Sequence, residues 1–197
     1  MRFHGAAILF ALLLLGGIAP FNASSGAGEP PQNPRALPSP SAVVKPTAYV
    51  SLQPVPRGKE FQVAVVVEIA QGFHMNSHKP GDQFLIPTTL TAQLPAGIQL
   101  RDTIYPGGQL EKFTFSPNKP LNVYTGTVTI RLRLAAGRDA ALGATTIPIT
   151  LRYQACNDTT CLQPVKVPVA VKLEVAGSGE KSRAVHSEVF SAANSPH

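Results

Sequence analysis

Residues 165–175 read VKVPVAVKLEV, and every odd position from Val165 to Val175 is apolar, while Lys166, Pro168, Lys172 and Glu174 fall between them. Period-two alternation marks a β-strand that lays one face on a core and turns the other to water. The same pattern recurs upstream. Residues 60–70 (EFQVAVVVEIA) put Phe61, Val63, Val65, Val67 and Ile69 on one face. Residues 122–134 (NVYTGTVTIRLRL) read as one strand with Tyr124, Val128, Ile130, Leu132 and Leu134 inward. Ile147, Ile149, Leu151 and Tyr153 form a further inward set. Weaker alternation predicts strands at 48–54, 88–94 and 98–105. Gly and Pro punctuate the joins, as at Pro56-Arg57-Gly58 and Pro80-Gly81-Asp82. No stretch carries a 3.6-residue period with caps. Seven or so antiparallel strands in about 130 residues predict an all-β fold, an immunoglobulin-like antiparallel β-sandwich.

The ends of the chain read differently. Arg2 is followed by a 14-residue apolar or small run at 6–19, AAILFALLLLGGIA. That is short for a membrane span and fits the hydrophobic region of a secretory leader. Ser25-Gly26-Ala27 is the neatest cleavage site and Ala23 a second, so residues 1–27 are expected to be a signal peptide and the protein to be periplasmic or secreted. Residues 28–46 hold six prolines and few large apolar side chains, which predicts an extended Pro-rich linker. Residues 177–197 are small, polar and unpatterned, and are expected to be a disordered tail. The folded domain is therefore placed at 47–176, large enough to bury a core.

The 17 basic and 11 acidic side chains give a net charge of +6, or +5 once Arg2 leaves with the leader. The basic residues are scattered, with Arg131 and Arg133 on one strand face. Without a dense basic run or aromatic-rich basic patch, nucleic acid is excluded as the main partner.

Cys156 and Cys161 are the only cysteines. They flank Asn157-Asp158-Thr159-Thr160, a polar connection between two strands that brings them across from each other, near the ~5.5 Å Cα separation a disulfide accepts. Parity complicates this hairpin. Both flanking strands bury odd-numbered residues, yet pairing 156 with 161 opposes odd with even positions. A one-residue bulge or irregular strand end is therefore predicted beside the cysteines, a feature that often re-aims side chains at active sites. A closed zinc site needs four ligands, and the chain has no second cysteine pair. A structural staple and a redox-active pair both remain open from spacing alone. So short a loop gains little entropic stability from being closed.

YQACNDTTCLQP (residues 153–164), set between alternating strands, resembles the N-terminal periplasmic domain of the thiol:disulfide interchange protein DsbD. Residues 71–90 (QGFHMNSHKPGDQFLIPTTL) are similar to an early strand and loop of that family, and 94–108 (LPAGIQLRDTIYPGG) to the segment holding its cap loop. The similarity extends over roughly residues 50–175. It implies an immunoglobulin-like fold that shuttles electrons without a cofactor, with Cys156 and Cys161 as the exchanging pair. His74 and Asn76 then flank the pair, and Asp102, Thr103, Ile104 and Tyr105 lie in a cap loop over it. The implied donor is a membrane thiol electron-transfer protein or a thioredoxin-like protein, and the implied acceptors are exported thiol–disulfide proteins, including cytochrome c maturation factors. The family's well-known form also carries a membrane-spanning conduit and a thioredoxin-like domain, which have no counterpart here. The rival class is a non-catalytic β-sandwich module that binds protein or glycan and keeps a structural disulfide.

His74-Met75-x-x-His78 invites a copper reading, since imidazole and thioether suit Cu(I). On a strand, residues four apart lie about 13 Å from each other, so no metal is expected. There is no paired-carboxylate or nucleophile-elbow pattern to support hydrolysis.

Overall fold

In the computed structural model residues 37–191 are described; the expected leader, the first part of the Pro-rich stretch and residues 192–197 lie outside them. A short helix, α1 (Pro40–Val43), leads into β1 (Val44–Val50). The two-residue strands β2 (Leu52–Gln53) and β3 (Val55–Pro56) follow, then β4 (Glu60–Ile69), β5 (His74–Asn76) and β6 (Thr89–Ala92). Next come β7 (Ile98–Ile104), β8 (Gln109–Phe113), β9 (Ser116–Tyr124) and β10 (Thr127–Ala136). The chain ends with β11 (Gly143–Tyr153), β12 (Ala155–Cys156), β13 (Val165–Ala176), β14 (Arg183–Ala184) and helix α2 (Ser187–Ser191).

Two four-stranded sheets make the body of an immunoglobulin-like sandwich, in the orders β1-β4-β10-β7 and β3-β13-β11-β6. The alternation sets which faces meet. Val63 lies opposite Leu132 and Val65 opposite Ile130, so like faces of β4 and β10 stack their branched side chains across the ladder. In the facing sheet Ile149 lies opposite Val169 and Leu151 opposite Val167. Val63, Val65, Ile130, Ile147 and Leu151 are completely buried in one continuous core with Leu173 and Val175. Each such side chain contributes roughly 2 kcal/mol relative to an exposed one. A one-residue slip of β13 turns its whole apolar set to water, so the register is strongly fixed. Pro168 sits on the stretch of β13 whose far side is unpaired, because β3 joins only at Val175 and Ala176.

A third sheet, β12-β5-β9-β8, stands at one end of the sandwich. It exists because the stretch read as one strand at 122–134 is two. Gly126 takes φ +62° and ends β9 at Tyr124, so β9 joins the end sheet while β10 joins the body. The even-position alternation continues through the break, which hid it.

The expected domain ends also need correction. β1 begins at Val44, inside the stretch read as linker, and pairs from Val44 opposite Ile69 to Val50 opposite Val63. Val43 and Val44 are core residues, and their burial outweighs the neighbouring prolines. The tail read as disordered is folded through Ser191. β14 pairs with β2, the Val185 amide donates to Ser51 O at 3.0 Å, and the His186 ring packs on Tyr49 at 5.0 Å. Helix α2 covers Arg131, whose Nη2 donates to Val189 O at 3.2 Å, so this arginine is buried where solvent was expected. Among the described residues no helix is long and apolar enough to cross a membrane.

Candidate functional site

The cysteine hairpin forms where one strand changes sheets. β11 and β13 run in register until Tyr153 opposite Val165. Continuing that register would oppose Cys156 to Leu162; instead Cys156 faces Cys161. The offset of one residue is the irregularity that parity predicts: it lies on the return strand, where Gln163 and Pro164 together stand opposite Gln154. The Gln154 side chain donates to Leu162 O (3.3 Å) and accepts from Asn76 Nδ2 (3.3 Å), while its carbonyl accepts from the Asn76 amide (3.2 Å). Beyond Gln154 the chain leaves the body and becomes β12, pairing with β5.

Cys156 and Cys161 are joined as a disulfide with Cα atoms 3.9 Å apart, closer than the expected spacing. Asn157 organises the four-residue loop. Its Oδ1 accepts from the amides of Thr159 (3.0 Å) and Thr160 (2.8 Å), the Asx-turn chemistry that makes asparagine a turn former. Leu162 anchors the return strand in the core, its amide donating to Ala155 O at 2.8 Å. The two sulfur-bearing residues are unequal: Cys156 is 1% exposed, whereas Cys161 is partly open to solvent.

His74 lies directly opposite Cys156 across the β5–β12 ladder. It is buried, its ring stacks on Phe113 with centroids 4.2 Å apart, and its Nε2 has no hydrogen-bond partner among the described residues. Burial lowers its pKa below the ordinary imidazole value, against a smaller upward pull from the Asp158 carboxylate. Asn76, also buried, does something different. Its Nδ2 donates to Ile86 O (3.0 Å) as well as to Gln154, so it braces the strand crossing behind the hairpin.

The segment expected as a cap loop lies elsewhere. Asp102, Thr103 and Ile104 are the end of β7, opposite Arg133, Leu132 and Arg131 of β10. Tyr105 accepts from the Leu90 amide (2.9 Å) and stacks on His78 at 3.7 Å. Asp102, Thr103 and Ile104 are held by their pairing with β10, and Tyr105 by its hydroxyl and ring contacts. The chain that meets the cysteine hairpin is the β8–β9 turn. Phe113 sits on His74, Phe115 stacks on Phe113 at 5.2 Å, and Thr114 Oγ1 donates to Asp158 O at 2.8 Å. Two phenylalanines around one threonine in KFTFSP, between a Gly-Gly pair and a proline, were the available sequence signal. His74 and Met75 point to opposite faces of β5, and His78 takes Tyr105 as its ring partner. Among the described residues no group of three or more His, Cys, Asp or Glu side chains is placed to hold a metal.

A family model described as "Thiol:disulfide interchange protein DsbD, N-terminal" matches residues 41–173. The chain belongs to the DsbD N-terminal domain family. The match starts before the first strand, includes the cysteine hairpin and most of both body sheets, and ends within β13, short of β14 and α2. A similar solved structure is the reduced DsbD N-terminal domain of Neisseria meningitidis, 20% identical with a TM-score of 0.44, covering 78% of this chain and 98% of that one. AggA, the major subunit of Escherichia coli aggregative adherence fimbriae type I, is 9% identical with a TM-score of 0.32, over 68% of this chain and 95% of its own. No curated protein matches the chain in sequence. Thiol–disulfide exchange is the chemistry of the DsbD N-terminal family, and the Cys156–Cys161 disulfide is the group in this chain that fits it.

Proposed function

We propose that this chain is an exported, periplasmic thiol–disulfide exchange protein that passes reducing equivalents through Cys156 and Cys161 to exported partner proteins. It receives them from a membrane thiol electron-transfer protein or a thioredoxin-like donor. The observation that carries the reading is the unequal burial of the two cysteines on a hairpin at the end of the sandwich. A donor thiolate that reaches the pair meets Cys161 and not Cys156. It attacks Cys161 Sγ, the Cys156–Cys161 bond breaks, and Cys156 leaves as the thiolate; a second donor thiol then releases Cys161. Delivery to an acceptor runs the same steps backwards, with Cys161 attacking and Cys156 resolving the mixed disulfide. The β8–β9 turn acts as the cap, since Phe113 and Thr114 fasten it over the hairpin, and it must lift for a partner to reach the sulfurs.

Equilibration of the oxidised protein against thiol buffers, with free thiols counted by mass, tests this. A reduction potential between about −180 and −270 mV, the range of working exchange proteins, is expected. A value below about −300 mV, with no exchange from a thioredoxin-like donor, makes the bond a structural staple and leaves a binding module.

A further inference from the structure

His74 is an unusual neighbour for a disulfide. It is 4% exposed, and its Nε2 is buried without a hydrogen-bond partner among the described residues, while Phe113 covers one face of the ring. Buried polar nitrogens are normally paired, so an orphan calls for an explanation. Its place in the ladder supplies one. His74 is directly opposite Cys156, and directly opposed residues share a face with their Cβ atoms about 5 Å apart. In the disulfide, Cys156 has no proton to offer. On reduction it gains an S–H, the donor that a neutral imidazole nitrogen lacks.

We propose that His74 is the proton-holding partner of Cys156, taking the Cys156 thiol proton when that cysteine attacks and returning it when the disulfide is reduced. The proposal rests on the exchange reading above. In the resolving step the Cys156 S–H proton passes to His74 Nε2, and the freed sulfur pair forms the bond to Cys161 Sγ. The bond between Cys161 and the partner breaks, and its electron pair leaves with the partner's sulfur as a thiolate. The dithiol is oxidised and the partner disulfide reduced; the imidazolium then gives up its proton to solvent. Water is a poor substitute as base because Cys156 is 1% exposed.

The groups around the ring suit this task. Among the described residues, the charged side chains lining the groove beside His74 are Glu111 from β8 and Asp158 from the hairpin loop, with no cation. The carboxylates favour the imidazolium once it forms. Burial keeps the ring neutral beforehand, ready to accept. The direction of each effect is the one a transient proton acceptor needs.

The experiment uses the reduced full chain and 5,5′-dithiobis(2-nitrobenzoate), which releases one chromophore when Cys161 attacks and a second when Cys156 resolves the adduct. An ordinary thiol with a pKa near 8.5 is only about 3% thiolate at pH 7, so a positioned acceptor is expected to speed the second release about tenfold. His74→Phe keeps a ring to stack on Phe113. It is expected to slow the second phase about tenfold at pH 7, leave the first phase unchanged, and remove the inflection below pH 7 from the second-phase profile. Equal second-phase rates and pH profiles in both proteins overturn the proposal. Ring-nitrogen NMR of the unaltered protein decides the matter if the variant misfolds. His74 Nε2 is expected to shift between oxidised and reduced forms, and identical shifts overturn the proposal. Failure of the unaltered protein to release either chromophore instead removes the exchange reading, and this proposal with it.

Discussion

Truncating Phe113 to alanine separates shielding of the disulfide from simple stability. The ring is 6% exposed, stacks on His74 at 4.2 Å, and belongs to a small cluster with Leu121, Val123 and the half-buried Leu85. Removing a buried phenylalanine ring costs roughly 3–5 kcal/mol, and a small cluster near the surface can collapse partly, so about 3 kcal/mol is expected. What then holds the β8–β9 turn to the hairpin is the Thr114–Asp158 hydrogen bond at 2.8 Å, worth about 1 kcal/mol net. If most of that loss falls on the turn, its open form becomes about a hundredfold more populated, at 1.4 kcal/mol per factor of ten. Reduction of the disulfide by dithiothreitol under native conditions is then expected to accelerate at least tenfold. Leu173→Ala is the control. Leu173 is 3% exposed in the main core, so its loss destabilises the body without touching the turn. Reduction rates are compared in conditions where urea melts show both variants almost wholly folded. Acceleration in Phe113→Ala alone supports capping by this turn. Equal rates in Phe113→Ala, Leu173→Ala and the unaltered protein refute it.

Two further outcomes are expected. Ending the chain at Ala176 removes the β14–β2 pairing, the His186–Tyr49 contact and the Val189 carbonyl that Arg131 donates to. A loss on the order of 2 kcal/mol is expected in urea unfolding, and an unchanged midpoint would show that the C-terminal segment is ornamental. Because burial lowers the folded-state pKa of His74, the unfolded chain takes up this proton first as pH falls. The stability linked to it is complete above about pH 6.5 and lost as pH falls through the folded value. His74→Phe should therefore lose less stability than the unaltered protein between pH 7.5 and pH 5, measured by denaturant midpoints.

The fold was legible where side-chain alternation and burial agree. The inward sets on β4, β10, β11 and β13 are the core, because alternation on a half-buried strand directly records which face is dry. The one-residue offset opposite Gln154 was legible too, since parity is a counting constraint that no packing detail can undo. The break at Gly126 was not, because Tyr124 and Val128 keep the same phase across a change of sheet. The β8–β9 hairpin escaped because residues 109–119 carry neither clean alternation nor a strong turn signal; Glu111, Lys112 and Lys119 interrupt the apolar pattern. Without that hairpin, the cap implied by the resemblance falls on Asp102–Tyr105. The folded C-terminal segment was invisible for another reason. Its few anchors, among them Val185, His186 and Val189, dock on an outer sheet face that looks solvated until something is placed on it.

The chemistry of the hairpin also bears on how a partner is chosen. Thioredoxin-type sites lower a thiol pKa at a helix N-terminus, but here Cys156 ends β12, Cys161 forms an isolated bridge to it, and the nearby charges, Asp158 and Glu111, are negative. Carboxylates disfavour a thiolate, so the free dithiol gains little reactivity from its electrostatics. If exchange runs through Cys161, rate must come from docking: a partner that lifts the β8–β9 turn delivers its own sulfur to the exposed side of the pair. A partner that cannot lift it meets Phe113 and Phe115. On the proposed reading, this arrangement would keep the dithiol from passing its electrons to every disulfide it encounters. It would make specificity a property of the turn, and the proposed role of His74 would come into play only after the right partner is bound. The prediction that separates this from intrinsic reactivity is sharp. Phe113→Ala should gain most with small disulfides, which need no docking, and least with a cognate protein that already opens the turn.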